Sequence, residues 1–409
     1  MSDNIPFEIQ IEIMKKLPIK SLIQFRSVSK SWKSLIDSSD FIAHYRTHMQ
    51  HLLVSYTVDH SFDRQYVSFI DDDTFPQHSV SFHLHSFINN LYYTSIINIT
   101  HGLICLYWRY VEDSENNIIY EKDMAVIWNP IIRKAVVVIV PKVARDTYHT
   151  VIGFGVCRET NDPKIVKLLR LEKYRWRVDR KRLMSSIPWQ VEVFTLSTGA
   201  WRRVCNNLPR KSIRFSCDSE VVDGVLYWLA DDVDPGFGIC NMIMSFDLTT
   251  EEFKEVKLPD SLARPDKKLL ISKRRESLIV LDYDEDEVEL DFYDVWMMED
   301  GISKSFTKLF SVNGEMYPLA SIHGFRKSGE PVFEVSEGDE CGELVVYEPY
   351  SEHFDKLGIN VTRRAFTVSP YVETLLLLDK PDLTVYYENQ IFKYRDDLFQ
   401  ELNLAPVDR

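Results

Sequence analysis

The pattern in this chain that most suggests chemistry is a run of alternating aspartates. Asp282-x-Asp284-x-Asp286 begins as a calcium-binding loop does, with carboxylates at alternate positions that can surround one ion. Such a loop also needs a glycine for its sharp turn and a final bidentate glutamate, and this chain has Glu287 and Tyr293 at those positions. The sequence therefore predicts no calcium site here.

The histidines do not form a metal-binding pattern either. His83 and His85 alternate on a predicted strand, and three further histidines have helical spacing: His44, His48 and His51. No cysteine or carboxylate set with zinc-ligand spacing accompanies them. We interpret them as surface or packing residues, and we expect no metal and no cofactor.

Sequence motifs of common enzymes are also missing. Gly153-Phe154-Gly155 lacks the third glycine of a dinucleotide fingerprint, and the chain contains no GxSxG, P-loop or HExxH motif. We predict that no residue is catalytic. The alternative is a propeller enzyme, a hydrolase or oxidase whose carboxylates or histidines converge only in the folded protein, with an accessory helical domain.

Two segments carry concentrated charge. Residues 170–182 hold seven Lys and Arg with Tyr174 and Trp176 between them, and residues 282–300 hold ten acids and no base. Each segment can be a solvated loop or strand edge, which is the usual role of such charge. Since long inserts in repeat folds tend to carry binding specificity, we also hypothesise that the basic segment contacts an acidic target. Its candidate residues are Arg170, Lys173, Tyr174, Arg175, Trp176, Arg177 and Arg180.

Composition narrows the classes of partner and the compartment. The 409 residues carry 48 Lys and Arg against 62 Asp and Glu, a net charge of −14, which disfavours nucleic acid and anionic membrane surfaces as partners. The N-terminus lacks the basic flank and apolar run of a signal peptide, and no apolar stretch is long enough to cross a bilayer. Six cysteines without a CxxC pair favour reduced thiols. We expect the protein in the cytoplasm, the nucleus or both.

The first part of the chain has a helical period. Ile5, Ile9, Ile13 and Leu17 recur every four residues with polar residues between them, and Pro18 stops this first helix. Two shorter helices follow within residues 21–37. Three helices this short close only a small core, so part of the apolar stripe is predicted to await a partner.

From about residue 51 the pattern changes to short strands rich in Val, Ile and aromatic residues. One unit recurs, in which an aromatic strand end is followed by a polar turn and an aromatic or basic strand start. It occurs at residues 128–134, 194–201, 246–253, 293–306, 347–354 and, more weakly, 386–392. The starts lie 66, 52, 47, 54 and 39 residues apart, close to the roughly 40–50 residues of a four-stranded propeller blade. We predict an α+β protein by domain, with three N-terminal helices (1–46) and an all-β domain (47–409), a β-propeller of six to eight blades. Two large β-sandwiches are the alternative.

The N-terminal segment resembles an F-box. The opening Leu-Pro of that family is Ile5-Pro6 here, its Leu-Pro-Val-Lys-Ser-Leu turn spans residues 17–22, and its Val-Cys-Lys-x-Trp signature is Val28-Ser29-Lys30-Ser31-Trp32, with Ser29 in place of cysteine. The ordered match covers about forty residues.

Most of the remaining chain resembles the plant F-box-associated domain. The resemblance rests on the order of several short segments: Trp128-Asn129-Pro130, Gly153-Phe154-Gly155, residues 162–167, Trp201-Arg202, residues 222–228, Phe246-Asp247 and Leu258-Pro259. Kelch blades carry paired glycines, and this chain has none and only 14 glycines in all. The resemblance therefore implies a domain that is kelch-like in architecture only.

F-box proteins are substrate receptors of Skp-cullin-F-box (SCF) ubiquitin ligases. The resemblance implies that the helices dock on a Skp-type adaptor, and through it on cullin, while the β domain binds an unknown protein target. The residues that match the adaptor-facing or interface-supporting pattern are Ile5, Pro6, Ile9, Ile13, Leu17, Pro18, Leu22, Val28, Lys30 and Trp32. Five apolar residues could equally serve only to pack the helices together: Ile13, Leu22, Phe25, Leu35 and Ile36. Two other functions stay open, an adaptor-bound scaffold outside any ligase and a glycan-binding or enzymatic propeller.

Overall fold

The computed structural model describes residues 5–392 except 46–48, 58–63, 84–94, 114–118, 142–147, 172–188, 205–207, 209, 211, 235–237, 285–291, 300, 302–303, 315–318, 338–340, 363–365, 382 and 388–389. The described chain begins with four helices, α1 (Phe7–Lys15), α2 (Ile19–Phe25), α3 (Lys30–Ile36) and α4 (Ser39–His44). The sequence predicted the first three. None of the described helices is long and apolar enough to cross a membrane.

Local chemistry sets where each helix begins. Pro6 and Pro18 hold the N-cap positions of α1 and α2, where a missing amide hydrogen costs nothing because the first helical amides have no partner. Ser29 and Ser38 cap α3 and α4, and their hydroxyl oxygens accept from Trp32 N (3.1 Å) and Phe41 N (3.3 Å). The serine that replaces the family's cysteine therefore starts the third helix.

Twenty-six strands follow within the described part of the chain. In chain order they are β1 (His51–Thr57), β2 (Arg64–Ile70), β3 (Ser79–Phe82), β4 (Ser95–Thr100), β5 (Leu103–Asp113), β6 (Ile119–Asn129), β7 (Lys134–Val140), β8 (Tyr148–Val156), β9 (Pro163–Leu171), β10 (Gln190–Thr195), β11 (Ala200–Val204), β12 (Ile213–Val222), β13 (Val225–Asp234), β14 (Gly238–Asp247), β15 (Phe253–Val256), β16 (Lys268–Arg274), β17 (Ser277–Asp284), β18 (Phe292–Met298), β19 (Phe306–Asn313), β20 (Leu319–Phe325), β21 (Pro331–Glu337), β22 (Cys341–Glu348), β23 (His353–Thr362), β24 (Thr367–Tyr371), β25 (Leu383–Tyr387) and β26 (Gln390–Phe392).

These strands form six sheets, which are the blades of a six-bladed β-propeller. Four sheets are simple meanders of four consecutive strands, β8–β11, β12–β15, β16–β19 and β20–β23. The fifth has the order β24-β1-β2-β3, so a late strand completes a sheet of early ones. The sixth, β4–β7, is extended by β25 and β26, and β25 pairs with β7 in parallel. Six blades lie within the predicted range of six to eight.

The recurring aromatic units are hairpins between the third and fourth strands of blades. Three of them place two aromatic rings opposite each other in register: Phe194 and Trp201, Phe246 and Phe253, and Tyr347 and Phe354. Their ring centroids lie 5.6, 4.8 and 4.8 Å apart, within the range of favourable aromatic pairs. The unit at 386–392 is the β25–β26 hairpin, which extends a blade and does not close one.

The chain divides into two compact units. One comprises residues 1–52, 66–141 and 371–409, and the other comprises residues 53–65 and 142–370. Trp128 lies in the core of the first unit with its ring 5.1 Å from that of Tyr66, and Trp228 lies in the core of the second unit with its ring 6.0 Å from that of Phe215. Trp201 and Trp296 are half-buried.

Candidate functional site

The helical region exposes large apolar side chains on a well-packed scaffold. Across the described residues ten large hydrophobic side chains are exposed, and half of them lie within residues 5–28. These five are Ile5 (44%), Phe7 (45%), Ile9 (51%), Ile13 (49%) and Val28 (63%). Apolar side chains gathered in this way on a folded protein mark an interaction surface. We call these five side chains the apolar surface.

Helix α1 is apolar on two sides. Ile9 and Ile13, four residues apart, belong to the apolar surface, whereas Met14 is 2% exposed and packs inward with Ile11. The predicted stripe therefore faces outward, and the helix is held in place by residues outside that stripe.

The ten residues predicted for adaptor contact fall into three groups. Exposed are Ile5, Pro6, Ile9, Ile13, Pro18, Val28 and Lys30; half-buried are Leu17 and Trp32; and Leu22 is fully buried. Leu22 can therefore only support the surface from behind. Among the five residues that could serve packing alone, Ile36 is also fully buried, Phe25 and Leu35 are half-buried, and Ile13 is exposed.

Trp32 of α3 contacts both α1 and α2. Its indole Nε1 donates to Gln10 Oε1 at 3.0 Å, and its ring lies 5.2 Å from that of Phe25. The side chain therefore aligns α1 with α2 and α3 while part of it stays accessible. An ion pair between Arg26 and Asp37 also connects the ends of α2 and α3, with Nε–Oδ1 and Nη2–Oδ2 distances of 2.5 and 3.0 Å.

The inner side of the helices rests on two segments of the β domain. Met14, Ile19, Leu22, Ile36 and Phe41 form one cluster with Leu375 and Leu378, and Ile131 and Ile132 of the β6–β7 turn pack against it. We call residues 131–132 and 375–378 the helix seat. Nothing in the run of four leucines at 375–378 indicated that Leu375 and Leu378 pack against helices about 340 residues earlier in the chain.

Polar contacts fix the seat. Asn129 Nδ2 donates to the carbonyl oxygens of Thr374 (2.9 Å) and Leu376 (2.8 Å), and Lys134 Nζ donates to the Lys380 carbonyl oxygen. Within the helices, the Tyr45 hydroxyl donates to the Leu17 carbonyl oxygen at 2.7 Å. Burial, with a smaller contribution from the charge of Glu373, raises the pKa of Tyr45 to about 12. The helices and their seat thus form one folded body.

The residues predicted for target contact are placed differently. Arg170 lies in β9, is 5% exposed, donates to the Ile213 carbonyl oxygen at 3.3 Å and stands over the Trp189 ring. Because its guanidinium is buried and hydrogen-bonded inside the β domain, Arg170 is not accessible to a target. The other six residues of that prediction, Lys173, Tyr174, Arg175, Trp176, Arg177 and Arg180, lie outside the described residues.

One arrangement in the β domain superficially resembles a catalytic triad. Ser321 Oγ and Glu334 Oε2 both lie 2.8 Å from His323. Both contacts are to the same ring nitrogen, Nε2, whereas a working triad uses one nitrogen for the nucleophile and the other for the carboxylate. The cluster therefore cannot activate Ser321. No group of three or more potential metal ligands occurs among the described residues.

Comparisons with known proteins agree with these features. Residues 2–44 match the F-box domain, and residues 116–375 match the F-box associated beta propeller domain. The F-box protein CPR1 of Arabidopsis thaliana is 26% identical over 75% of this chain and 73% of its own length. The F-box/kelch-repeat protein At3g23880 of the same plant is 24% identical over 76% of this chain and 80% of its own length.

Among solved structures, the β-propeller domain of the trilobed protease from Pyrococcus furiosus covers 65% of this chain and 71% of its own, with 15% identity and a TM-score of 0.35. The match to the F-box associated beta propeller domain covers well over half of this chain and contains five of its six hairpin units. The chain belongs to the family of F-box proteins that carry an F-box-associated β-propeller domain.

Proposed function

We propose that this protein is the substrate-recruiting subunit of an SCF-type ubiquitin ligase. Its helices would dock on a Skp-type adaptor, and through it on cullin, and its β domain would hold the protein to be ubiquitylated. The observation that carries the proposal is the apolar surface of α1 and the α2–α3 turn, exposed on helices whose opposite side is fixed in the helix seat. An apolar surface on a rigid support is typical of a permanent docking site.

In such a receptor the helix seat would make the connection between the helices and the β domain stiff. A receptor of this kind does no chemistry and acts by raising the effective concentration of a target lysine near the ubiquitin-conjugating enzyme. That effect is largest when the connection is stiff, because a flexible tether spreads the target over many positions. Leu375, Leu378 and the Asn129 hydrogen bonds supply this stiffness on the side of the β domain that holds the helices.

The same proposal covers compartment, partners and catalysis. The net charge of −14 favours a protein partner over nucleic acid or a membrane surface, and we place the protein in the plant cytoplasm, nucleus or both. No residue of this chain would be catalytic. Its β domain would be kelch-like in architecture, without the paired glycines of kelch blades.

The test is co-purification of the full chain with a plant Skp-type adaptor. Ile9→Ser and Ile13→Ser together should abolish the complex, since each removes an exposed apolar contact without touching Met14 or the seat. Val80→Ser is the matched control, because Val80 is 45% exposed on β3 and lies outside the apolar surface. A wild-type chain that folds but binds no adaptor, or a double variant that binds as well as wild type, would contradict the proposal.

Trp32→Ala would be a poorer probe, because it also removes the hydrogen bond to Gln10 and the contact with Phe25. Self-ubiquitylation in a reconstituted assembly then separates a ligase subunit from an adaptor-bound scaffold. Modification of the receptor when all components are present supports the ligase.

A further inference from the structure

A cleft of about 250 Å³ opens beside the sheet β12–β15, where strand β16 of the next sheet approaches it. Asp231 and Asn241, which are register partners on β13 and β14, lie on one side, and Lys267 and Leu269 lie on the other. On the side of this sheet, the lining residues come from β12, β13 and β14. Two of its lining residues, Leu229 and Leu269, pack against an apolar core cluster.

The two cations in the cleft wall are already engaged. Arg214 faces Asp231 with two parallel hydrogen bonds, of which Nε–Oδ1 is 3.1 Å, and the second joins Nη2 to Oδ2. Lys267 Nζ lies 2.8 Å from Asp282 Oδ2. An anionic ligand would therefore have to break an existing ion pair to find a partner.

Asp282 retains one open acceptor. The residue is 6% exposed, and its Oδ1 atom has no hydrogen-bond partner among the described residues. Asp282 is the register partner of Leu269, so its side chain projects from the same face of the sheet as this cleft residue, directly behind the cleft wall where it holds Lys267. A buried carboxylate oxygen without a donor is unfavourable, and a ligand that brought a donor would relieve this.

The neighbouring carboxylate in the same row has its two contacts at one oxygen, Oδ1, and has no buried oxygen without a partner. Asp294, the register partner of Asp282 on β18, receives Lys308 Nζ and Ser311 Oγ, each at 2.7 Å. Of the oxygens of these two carboxylates, Asp282 Oδ1 alone is buried without a hydrogen-bond partner among the described residues.

We propose that this cleft binds a lysine or arginine side chain of a partner polypeptide. The aliphatic stem would lie on Leu229 and Leu269, and the cationic head would donate to Asp282 Oδ1, which matches the amphipathic form of these side chains. The net charge of −14 on the chain favours the approach of a basic segment. The inference deepens the proposed function, since the basic segment would belong to the recruited target, but binding in the cleft does not require the adaptor.

The experiment uses the full chain without adaptor and two small probes, N-acetyl-arginine methylamide and N-acetyl-citrulline methylamide. Citrulline has the same shape but no charge. The readout is the indole resonance of Trp296 in a chain labelled with ¹⁵N at its tryptophans. Trp296 pairs with Val280, two residues from Asp282 on β17, and its indole nitrogen is buried without a partner among the described residues.

We expect the arginine probe to bind at least about tenfold more tightly than the citrulline probe, as one charge-assisted hydrogen bond provides. Asp282→Asn should reduce this preference to less than about twofold by the same arithmetic. Asp355→Asn is the control, because Asp355 has an exposed carboxylate on β23 and should leave the preference unchanged.

Lys267→Gln supplies a change in the opposite direction. It frees Asp282 Oδ2 from its ion pair, so affinity for the arginine probe should rise severalfold, and a misfolded variant would not produce a gain. Equal affinities for the two probes, no saturable change at Trp296, or an Asp282→Asn variant that keeps the preference would each overturn the proposal. None of these results depends on adaptor binding, which is measured separately.

Discussion

Asn129 donates a hydrogen bond from Nδ2 to the carbonyl oxygen of Thr374, 2.9 Å away and 245 residues later in the chain. The same nitrogen reaches the carbonyl oxygen of Leu376 at 2.8 Å. One buried amide at the end of β6 therefore holds the segment that supplies Leu375 and Leu378 to the F-box helices. The Trp128-Asn129-Pro130 motif positions the F-box although it lies outside it.

Asn129→Ala should destabilise this part of the protein. The change leaves two carbonyl oxygens without their donor, and each buried unsatisfied group costs about 1–3 kcal/mol. The free energy of unfolding, measured with urea, should decrease by an amount in this range or above it. Gln77→Ala, at an exposed residue of the β2–β3 connection, should change the free energy of unfolding by less than about 0.5 kcal/mol. Equal effects of the two substitutions would show that the amide does not hold the seat.

Leu375→Ala should loosen the F-box helices although the substitution lies in the β domain. Leu375 is fully buried in the cluster that contains Met14 and Leu22, and truncation of such a leucine costs about 2–5 kcal/mol. Hydrogen exchange of peptides from α1–α3 should become faster. Leu319→Ala removes an equally buried leucine from a cluster without F-box residues, and it should destabilise the protein without preferential exchange in these helices. Unchanged helix protection in Leu375→Ala would contradict the role given to the seat.

Gly102→Ala should be more damaging than Gly358→Ala. Both glycines have positive φ, +72° and +67°, so both substitutions carry backbone strain of about 1 kcal/mol. A Cβ at Gly102 would also collide with the Val372 carbonyl oxygen and would lie 2.6 Å from Thr374 Cγ2, whereas a Cβ at Gly358 meets nothing within 4 Å. The melting temperature should fall clearly further for Gly102→Ala than for Gly358→Ala. If the two melting temperatures fell by similar amounts, the segment after β24 could move away from Gly102.

Glu220 should give the protein a pH dependence between about 4.5 and 7. Burial raises the pKa of this carboxyl to about 7, against a smaller opposing effect of Lys273. A folded-state pKa above the unfolded value favours the protonated form, so the contribution of Glu220 to stability is present below pH 4.5 and is lost as the pH rises to 7. Glu220→Gln, which cannot ionise, should therefore be more stable than wild type at pH 8 by about 1–3 kcal/mol relative to their difference at pH 4.5.

The control for this prediction is Glu276→Gln, since the Glu276 side chain is 79% exposed in the β16–β17 turn. Its stability difference from wild type should not depend on pH over this range. A Glu220→Gln curve parallel to that of wild type would show that the carboxyl titrates normally.

The sequence predicted the blades well because their signal is local. An aromatic residue at the end of one strand and its register partner at the start of the next are only seven residues apart in Phe194–Trp201, Phe246–Phe253 and Tyr347–Phe354. The hairpin β2–β3 was missed because its register pairs, such as Phe69 with Ser79, carry no aromatic pair at the turn. The blade order β24-β1-β2-β3 joins distant strands and leaves no local pattern.

The candidate site was likewise predictable only where its signal is local in the sequence. Helical spacing identified Ile9 and Ile13, but it could not distinguish the face that meets solvent from the face that meets the seat, because α1 is apolar on both. Arg170 was grouped with a solvated basic segment, yet it lies at the end of a buried strand where Trp189 and Ile213 surround it. Burial of a charged residue depends on neighbours that are far away in the sequence.

The helix seat also orders events during synthesis. The F-box helices are translated long before Leu375 and Leu378, which cover their inner side and are the last of the residues in this cluster to be made. Until they emerge, Met14, Ile19 and Leu22 lack part of their cover, so a nascent or prematurely terminated chain presents a less ordered helical region than the finished one. A chain that stops before residue 375 therefore lacks part of the packing that orders the F-box helices.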